Sequence, residues 1–192
     1  LIKDTINEML GIKVDYYVYL NIKTFRKIID MLDGVYIDVP VDMHYDDPTQ
    51  DLHIHLNKGY QLLDGAKAEQ YLRFRHPNDS NYSQEMLKYY DGSDLKRINA
   101  QQNFIRELIK QKANIKYISK LDDIVKTVFD NIETDITLSE ALKILKSAPS
   151  FKPEHLNTFT LPGESRQMGE DNIWYYIYDK EQGELILNEH FR

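Results

Sequence analysis

A chain of 192 residues with no cysteine and 31 acidic against 24 basic side chains, for a formal net charge of −7, is long enough to bury one substantial core. Its hydrophobic share of 42% and aromatic share of 11% exclude a disordered or collagen-like chain. The lack of cysteine excludes a disulfide scaffold, a thiolate metal site, an iron–sulfur cluster and a cysteine nucleophile, and the acidic balance excludes a nonspecific nucleic-acid binder. Any anion must therefore be held by a local concentration of arginine. No run approaches the roughly 20 apolar residues of a membrane span, and no signal peptide is legible at Leu1. The chain has no initiator Met and opens inside a helical pattern, so the expectation is a fragment whose preceding part carries an anchor.

Ile2, Ile6, Met9 and Leu10 fall at helical spacing, with Gly11 where a helix C-terminus favours glycine. Val14 to Leu20 is rich in Val and Tyr and predicts a strand. Asn21 then caps a helix through Phe25, Ile28, Ile29 and Leu32, and Asp33-Gly34 turns into the β-prone run Val35 to Val39, stopped by Pro40. Val14 to Pro40 is therefore expected to form a β-α-β unit. Asp42 to Gln50 is polar, and Leu52 to Leu56 alternates as a half-exposed strand. Asp64 caps a helix from Ala66 to about Leu72, which Arg73-Phe74-Arg75 closes and His76-Pro77 ends. Asn78 to Gly92 is a polar, Tyr-rich excursion, and a long helix runs from Asp94 to about Ala113. A helix carrying Leu121, Ile124, Val125 and Val128 follows, then one from Leu138 to Leu145 opened by the capping box Thr137-x-x-Glu140. Leu156 to Leu161 and Ile173 to Tyr178 read as strands, and Glu181 to His190 as a closing helix. Strands alternating with helices predict an α/β layered domain without an internal boundary.

The segment Arg73-Phe74-Arg75-His76 and the start of the long helix hold the most informative chemistry. Asp94, Arg97 and Gln101 stand at i, i+3 and i+7, on a stripe bordering the apolar face of Ile98 and Ile105. If Arg73 and Arg75 are locally extended, both point one way with Phe74 opposite, and three guanidinium groups converge near the helix N-terminus. Such a cluster suits a pyrophosphate, because each guanidinium is permanently charged and binds two oxygens at once. Asp94 would orient an arginine. The same residues also fit a surface ion-pair cluster whose arginine stems cover apolar surface. His53 and His55 share one strand face and, with Asp46 or Asp47, offer metal ligands, although that alternation is also simply the wet side of a strand. No phosphate-cradling glycine loop and no serine or threonine nucleophile motif is present.

The order of motifs resembles the LytR-CpsA-Psr family of bacterial cell-envelope enzymes. The blocks are Asp15-Tyr16-Tyr17-Val18 with Asn21 and Phe25, then Leu32-Asp33-Gly34-Val35-Tyr36-Ile37-Asp38-Val39-Pro40, then Gly59-x-Gln61-x-Leu63-Asp64-Gly65-x-x-Ala68. Tyr71-Leu72-Arg73-Phe74-Arg75-His76 and Gly92-Ser93-Asp94-Leu95-x-Arg97-Ile98-x-x-Gln101-Gln102 complete the series. The resemblance implies a three-layer α/β/α domain with a central mixed sheet, of which residues 1–192 would form the C-terminal portion, a single partial domain. It implies a phosphotransferase on the outer face of the cell membrane, in a Gram-positive bacterium, that moves a teichoic acid or capsular polysaccharide from a polyprenyl-pyrophosphate carrier to peptidoglycan. By motif, Arg73, Arg75 and Arg97 would hold the pyrophosphate, with Gln101 beside them, and Asp94 and Arg97 would take part in catalysis. The cofactor implied is Mg²⁺, with ligands in the preceding part of the domain and none in residues 1–192, so this stretch alone is expected to be inactive. The gap between Arg75 and Asp94 is longer than in most relatives, which bears on acceptor access. Two alternatives stand beside this reading: a noncatalytic module binding polyprenyl phosphate or wall polymer, and an envelope-linked transcriptional regulator, which the acidic balance disfavours.

Overall fold

The computed structural model describes residues 2–79, 82–113, 115–147 and 156–190. These fall into two compact units, one made of residues 1–17 and 158–192, the other of residues 18–157. The first unit holds helix α1 (Ile2–Leu10), the antiparallel hairpin of β7 (Gly163–Met168) and β8 (Ile173–Tyr178), and helix α8 (Lys180–His190). The Asn7 side chain accepts the Val14 N–H at 2.9 Å and fixes the chain as it leaves α1. The strand expected at Leu156 to Leu161 lies instead at Gly163–Met168, where the partner ladder to β8 begins.

The second unit carries the rest. Its elements in order are β1 (Val18–Leu20), α2 (Ile22–Met31), β2 (Val35–Val39), β3 (Met43–Asp47), β4 (Leu52–Leu56), β5 (Gly59–Leu63), α3 (Gly65–Arg73), α4 (Gln84–Tyr89), α5 (Asp94–Lys112), α6 (Ile115–Val128), β6 (Ile132–Thr134) and α7 (Leu138–Ser147). A single 3₁₀ turn, Phe129–Asn131, joins α6 to β6. The alternation of helix and strand bears out the α/β class. The expected β-α-β unit does not form as such: β1 pairs antiparallel with the distant β6, and β2 pairs antiparallel with β5. β6 is three residues long, too short to leave a period in the sequence, which is why its pairing was not legible there. The polar run after Asp42 holds β3, the partner of β4, and the excursion after Asn78 contains the short helix α4, capped by Ser83.

The core is built from alternation and amphipathic stripes. β2 turns Val35, Ile37 and Val39 inward and β4 turns Leu52, Ile54 and Leu56 inward, while α2, α3 and α5 add Ile29, Ala68 and Phe104 from their packed edges and Phe74 enters just past the end of α3. The tight turn between α2 and β2 uses Asp33 and Gly34 at φ of 60° and 70°, and a Cβ on Gly34 would lie 2.8 Å from the Leu63 carbonyl oxygen. Among the described residues, no helix is long and apolar enough to cross a membrane.

Gly65 sets how closely α3 approaches α2. A Cβ there would stand 2.3 Å from the Arg26 carbonyl oxygen, a backbone atom that cannot rotate away. The Gly65→Ala variant should therefore lose about 1–3 kcal/mol of stability in urea unfolding; an unchanged midpoint would show that the two helices are free to separate.

Candidate functional site

α3 and α5 bring the arginines together. Asp64 caps α3 by accepting the Lys67 N–H at 2.8 Å, and the helix ends at Arg73, a cation in the last turn where the carbonyl end of the dipole favours it. Phe74 then turns to extended backbone and is fully buried, packed edge-on against Tyr90 with ring centroids 5.0 Å apart. With Phe74 pinned inward, Arg73 and Arg75 both reach the opposite side. α5 begins at Asp94, so Arg97 and Gln101 sit one and two turns into it, and Gln101 Nε2 donates to the Leu72 carbonyl at 3.2 Å, which ties α5 to the end of α3.

The result is a cavity of about 440 Å³ lined by Arg73, Arg75, Arg97 and Gln101, with Tyr45 and Gln50 contributed by the β3–β4 hairpin. Each guanidinium is held differently. Arg73 Nη1 donates to Glu69 at 2.9 Å, one turn back on α3, and its Nη2 donates to the Gln50 side-chain carbonyl at 3.2 Å. Glu69 is almost entirely buried and also receives Arg26 of α2, so a single carboxylate lies between two guanidinium groups. Arg75 donates to the Gly92 carbonyl and lies 3.6 Å from Asp94. Arg97 Nη2 forms an ion pair with the same Asp94 carboxylate at 3.0 Å. The Arg97 Nε is buried and has no hydrogen-bond partner among the described residues.

Every residue assigned to the site from the sequence is brought to this place. Arg73, Arg75, Arg97 and Gln101 line the cavity, and Asp94 stands at its edge bridging Arg75 and Arg97. Lys96, next to Arg97 in sequence, lines a second cavity of about 460 Å³ with Lys58, Lys88 and Tyr89, and donates to the Lys88 carbonyl. Sequence reasoning missed Glu69, Gln50 and Tyr45. Glu69 had a legible signal, four residues before Arg73 on one helix face; Gln50 and Tyr45 arrive from the hairpin and had none. The hairpin turn is itself fixed by Asp47, whose carboxylate accepts from Thr49 and Gln50, and the Thr49 hydroxyl holds it below the usual carboxylate range.

Of the two carboxylates beside the cavity, Glu69 is buried between two arginines, whereas Asp94 meets both of its arginines through Oδ1 and its side chain is more than half exposed. Among the described residues, one group of three has ligand atoms all within 4.8 Å of one another: Asp46, His53 and His55, on the outer face of the hairpin.

The family model of LytR_cpsA_psr matches residues 1–192. The chain belongs to the LytR-CpsA-Psr family. It is 26% identical over 191 residues to the polyisoprenyl-teichoic acid–peptidoglycan teichoic acid transferase TagV of Bacillus subtilis, which covers 97% of this chain and 46% of that protein. To TagU of the same organism, a transferase of the same name, it is 27% identical over 177 residues, 92% of this chain and 51% of the relative. The chain thus spans about half the length of these LytR-CpsA-Psr relatives. In fold, the crystal structure of B. subtilis TagV superposes with a TM-score of 0.73 at 25% identity, covering 98% of this chain and 68% of that one. A Streptococcus agalactiae crystal structure superposes with a TM-score of 0.75 at 20% identity, covering 96% of this chain and 58% of that one.

Replacing Glu69 tests how this LytR-CpsA-Psr site is held. Glu69→Ala removes the shared acceptor of Arg26 and Arg73, and because both arginines keep partial access to water, the cost should be about 1–3 kcal/mol. Chemical denaturation checks it, and a loss below a few tenths would mean that the arginines are positioned by something else.

Proposed function

We propose that this chain is part of a phosphotransferase that moves a teichoic acid or capsular polysaccharide from a polyprenyl-pyrophosphate carrier onto peptidoglycan. Its place would be the outer face of the cell membrane of a Gram-positive bacterium, attached through a segment preceding Leu1. The observation that carries the reading is the convergence of Arg73, Arg75, Arg97 and Gln101 on one cavity in a chain of this family. That the Bacillus relatives are polyisoprenyl-teichoic acid–peptidoglycan teichoic acid transferases supports the substrate class.

In this reading the diphosphate enters the arginine cavity, where guanidinium groups bind two oxygens at a time. An acceptor hydroxyl oxygen bonds to the phosphorus that carries the glycopolymer, and the bond from that phosphorus to the bridging oxygen breaks. Polyprenyl phosphate leaves with the electron pair as an anion. Charge grows on the phosphoryl oxygens during this exchange, and arginines already fixed by Glu69, Asp94 and Gly92 stabilise it without reorganising. Asp94 serves as the positioning carboxylate for Arg75 and Arg97. Mg²⁺, the cofactor implied by the family, takes oxygen ligands, and among the described residues the only half-exposed carboxylate beside the cavity is Asp94, already paired with two arginines; the reading places the other metal ligands, and the base that takes the hydroxyl proton, outside this cavity. The burial of Glu69 between two arginines and the pairing of Asp94 with Arg75 and Arg97 also support a second reading, in which residues 1–192 bind the carrier and transfer nothing.

The full-length protein assayed with a polyprenyl-pyrophosphate glycan and peptidoglycan separates the readings. Arg73→Ala and Arg97→Ala should each lower kcat/KM about 10²-fold, whereas Lys96→Ala, which changes the other cavity, should leave it nearly unchanged. Equal losses from all three would reduce the cluster to nonspecific charge attraction. Carrier binding without any transfer by the unaltered protein would establish the binding module instead.

A further inference from the structure

We propose that Asp46, His53 and His55 form a binding site for a divalent transition metal of the zinc class on the outer face of the β3–β4 hairpin. The site stands apart from the arginine cavity and does not depend on the phosphotransferase reading. Its origin lies in the register: His44 of β3 faces His55 of β4, and Asp46 faces His53, as directly opposed pairs. Strand alternation sends Leu52, Ile54, Leu56 and Met43 into the core, so the three histidines and the carboxylate are left together on the other face.

The side-chain geometry is already convergent. Asp46 Oδ1 lies 2.6 Å from His53 Nδ1 and 3.1 Å from His55 Nε2, and the three ligand atoms are all within 4.8 Å of one another. A tetrahedral zinc ion with bonds near 2.0–2.1 Å places its ligands about 3.3 Å apart, so side-chain adjustments of the order of an ångström would admit the ion. The remaining nitrogen of His55, Nδ1, is 3.4 Å from His44 Nδ1. With His55 bound through Nε2, its Nδ1–H donates to His44, the outer-shell contact that fixes a ligating imidazole in one tautomer. The ligand side chains are about half exposed, which leaves the fourth position open to water.

The backbone under these ligands is braced from two directions. Asn78 accepts the Asp46 N–H at 2.5 Å and donates to the Asp46 carbonyl at 2.8 Å, and the His55 N–H donates to the Gln70 side chain of α3 at 2.9 Å. Two imidazoles and one carboxylate select zinc, nickel or copper over Mg²⁺ or Ca²⁺, which prefer oxygen alone. The ion would cross-link β3 to β4 from outside, behind the same hairpin that presents Tyr45 and Gln50 to the arginine cavity.

The test uses the full-length protein without a histidine tag, stripped with a chelator and titrated with Zn²⁺ in excess Mg²⁺. Calorimetry should show one equivalent bound with a micromolar or tighter Kd, and Zn²⁺ should raise the thermal midpoint. His53→Gln and His55→Gln are exposed changes that should leave the metal-free midpoint in place while weakening Zn²⁺ binding at least about tenfold and abolishing the midpoint shift. Co²⁺ substitution should give the visible absorption of a tetrahedral site in the unaltered protein and not in the variants. No binding at one equivalent, displacement by Mg²⁺, or an affinity in either variant equal to that of the unaltered protein would overturn the assignment.

Discussion

The carboxylate of Glu69, buried between Arg26 and Arg73, is the contact on which the rest of the site depends. A carboxylate removed from water costs several kcal/mol unless charged donors replace its hydration, and here two guanidinium groups from different helices do so. The arrangement joins α2 to α3, which Gly65 allows to lie against the Arg26 backbone, and it leaves Arg73 aimed at the cavity with its Nη2 on Gln50. A residue that looks structural from its burial therefore sets the direction of a residue that looks functional from its exposure.

The same economy recurs at the other end of the cavity. Asp94 is a first-turn acid of α5 and favoured there by the helix dipole, yet it also spans Arg75 and Arg97. Four guanidinium groups, Arg26 included, are thus set against two carboxylates, which leaves a local surplus of positive charge in a chain whose net charge is −7. Local concentration, and no global field, is what a chain of this net charge can offer an anion. The neighbouring lysines do not add to it, because Lys58, Lys88 and Lys96 gather at the second cavity, where Glu85 pairs with Lys58.

The legible parts of the structure were those with local causes. Helical spacing and caps located α2, α3, α5 and α7, and the Thr137–Glu140 box forms with its reciprocal hydrogen bonds. The stripe of Asp94, Arg97 and Gln101 followed from helix geometry alone, and the convergence of Arg73 with Arg75 followed once Phe74 was placed inward. What escaped had non-local causes. β6 is specified by its contact with β1 and not by any period of its own; β3 reads as a polar loop because its outward face is His44 and Asp46, and only Met43 of its inward residues is fully buried. Gln50 reaches Arg73 across 23 residues, through a turn built on Asp47, and no window of sequence contains that relation.

The hairpin of β3 and β4 shows how one piece of backbone can serve two chemistries without conflict. Its pleat separates them: Tyr45 and the turn residue Gln50 belong to the arginine cavity, while Asp46, His53 and His55 are gathered on the outside. Tyr45 stacks edge-on against His76, with ring centroids 5.4 Å apart, and His76 Nδ1 donates to the Pro77 carbonyl at 2.9 Å, so the segment that ends in Arg75-His76-Pro77 is packed onto the hairpin directly. One residue further on, Asn78 closes two hydrogen bonds on the Asp46 backbone. The inner and outer faces are therefore fastened by consecutive residues of one strap, His76 to Asn78. A displacement of the hairpin would be felt at both faces: Gln50 would leave Arg73, and the carboxylate of Asp46 would leave the imidazoles it accepts from.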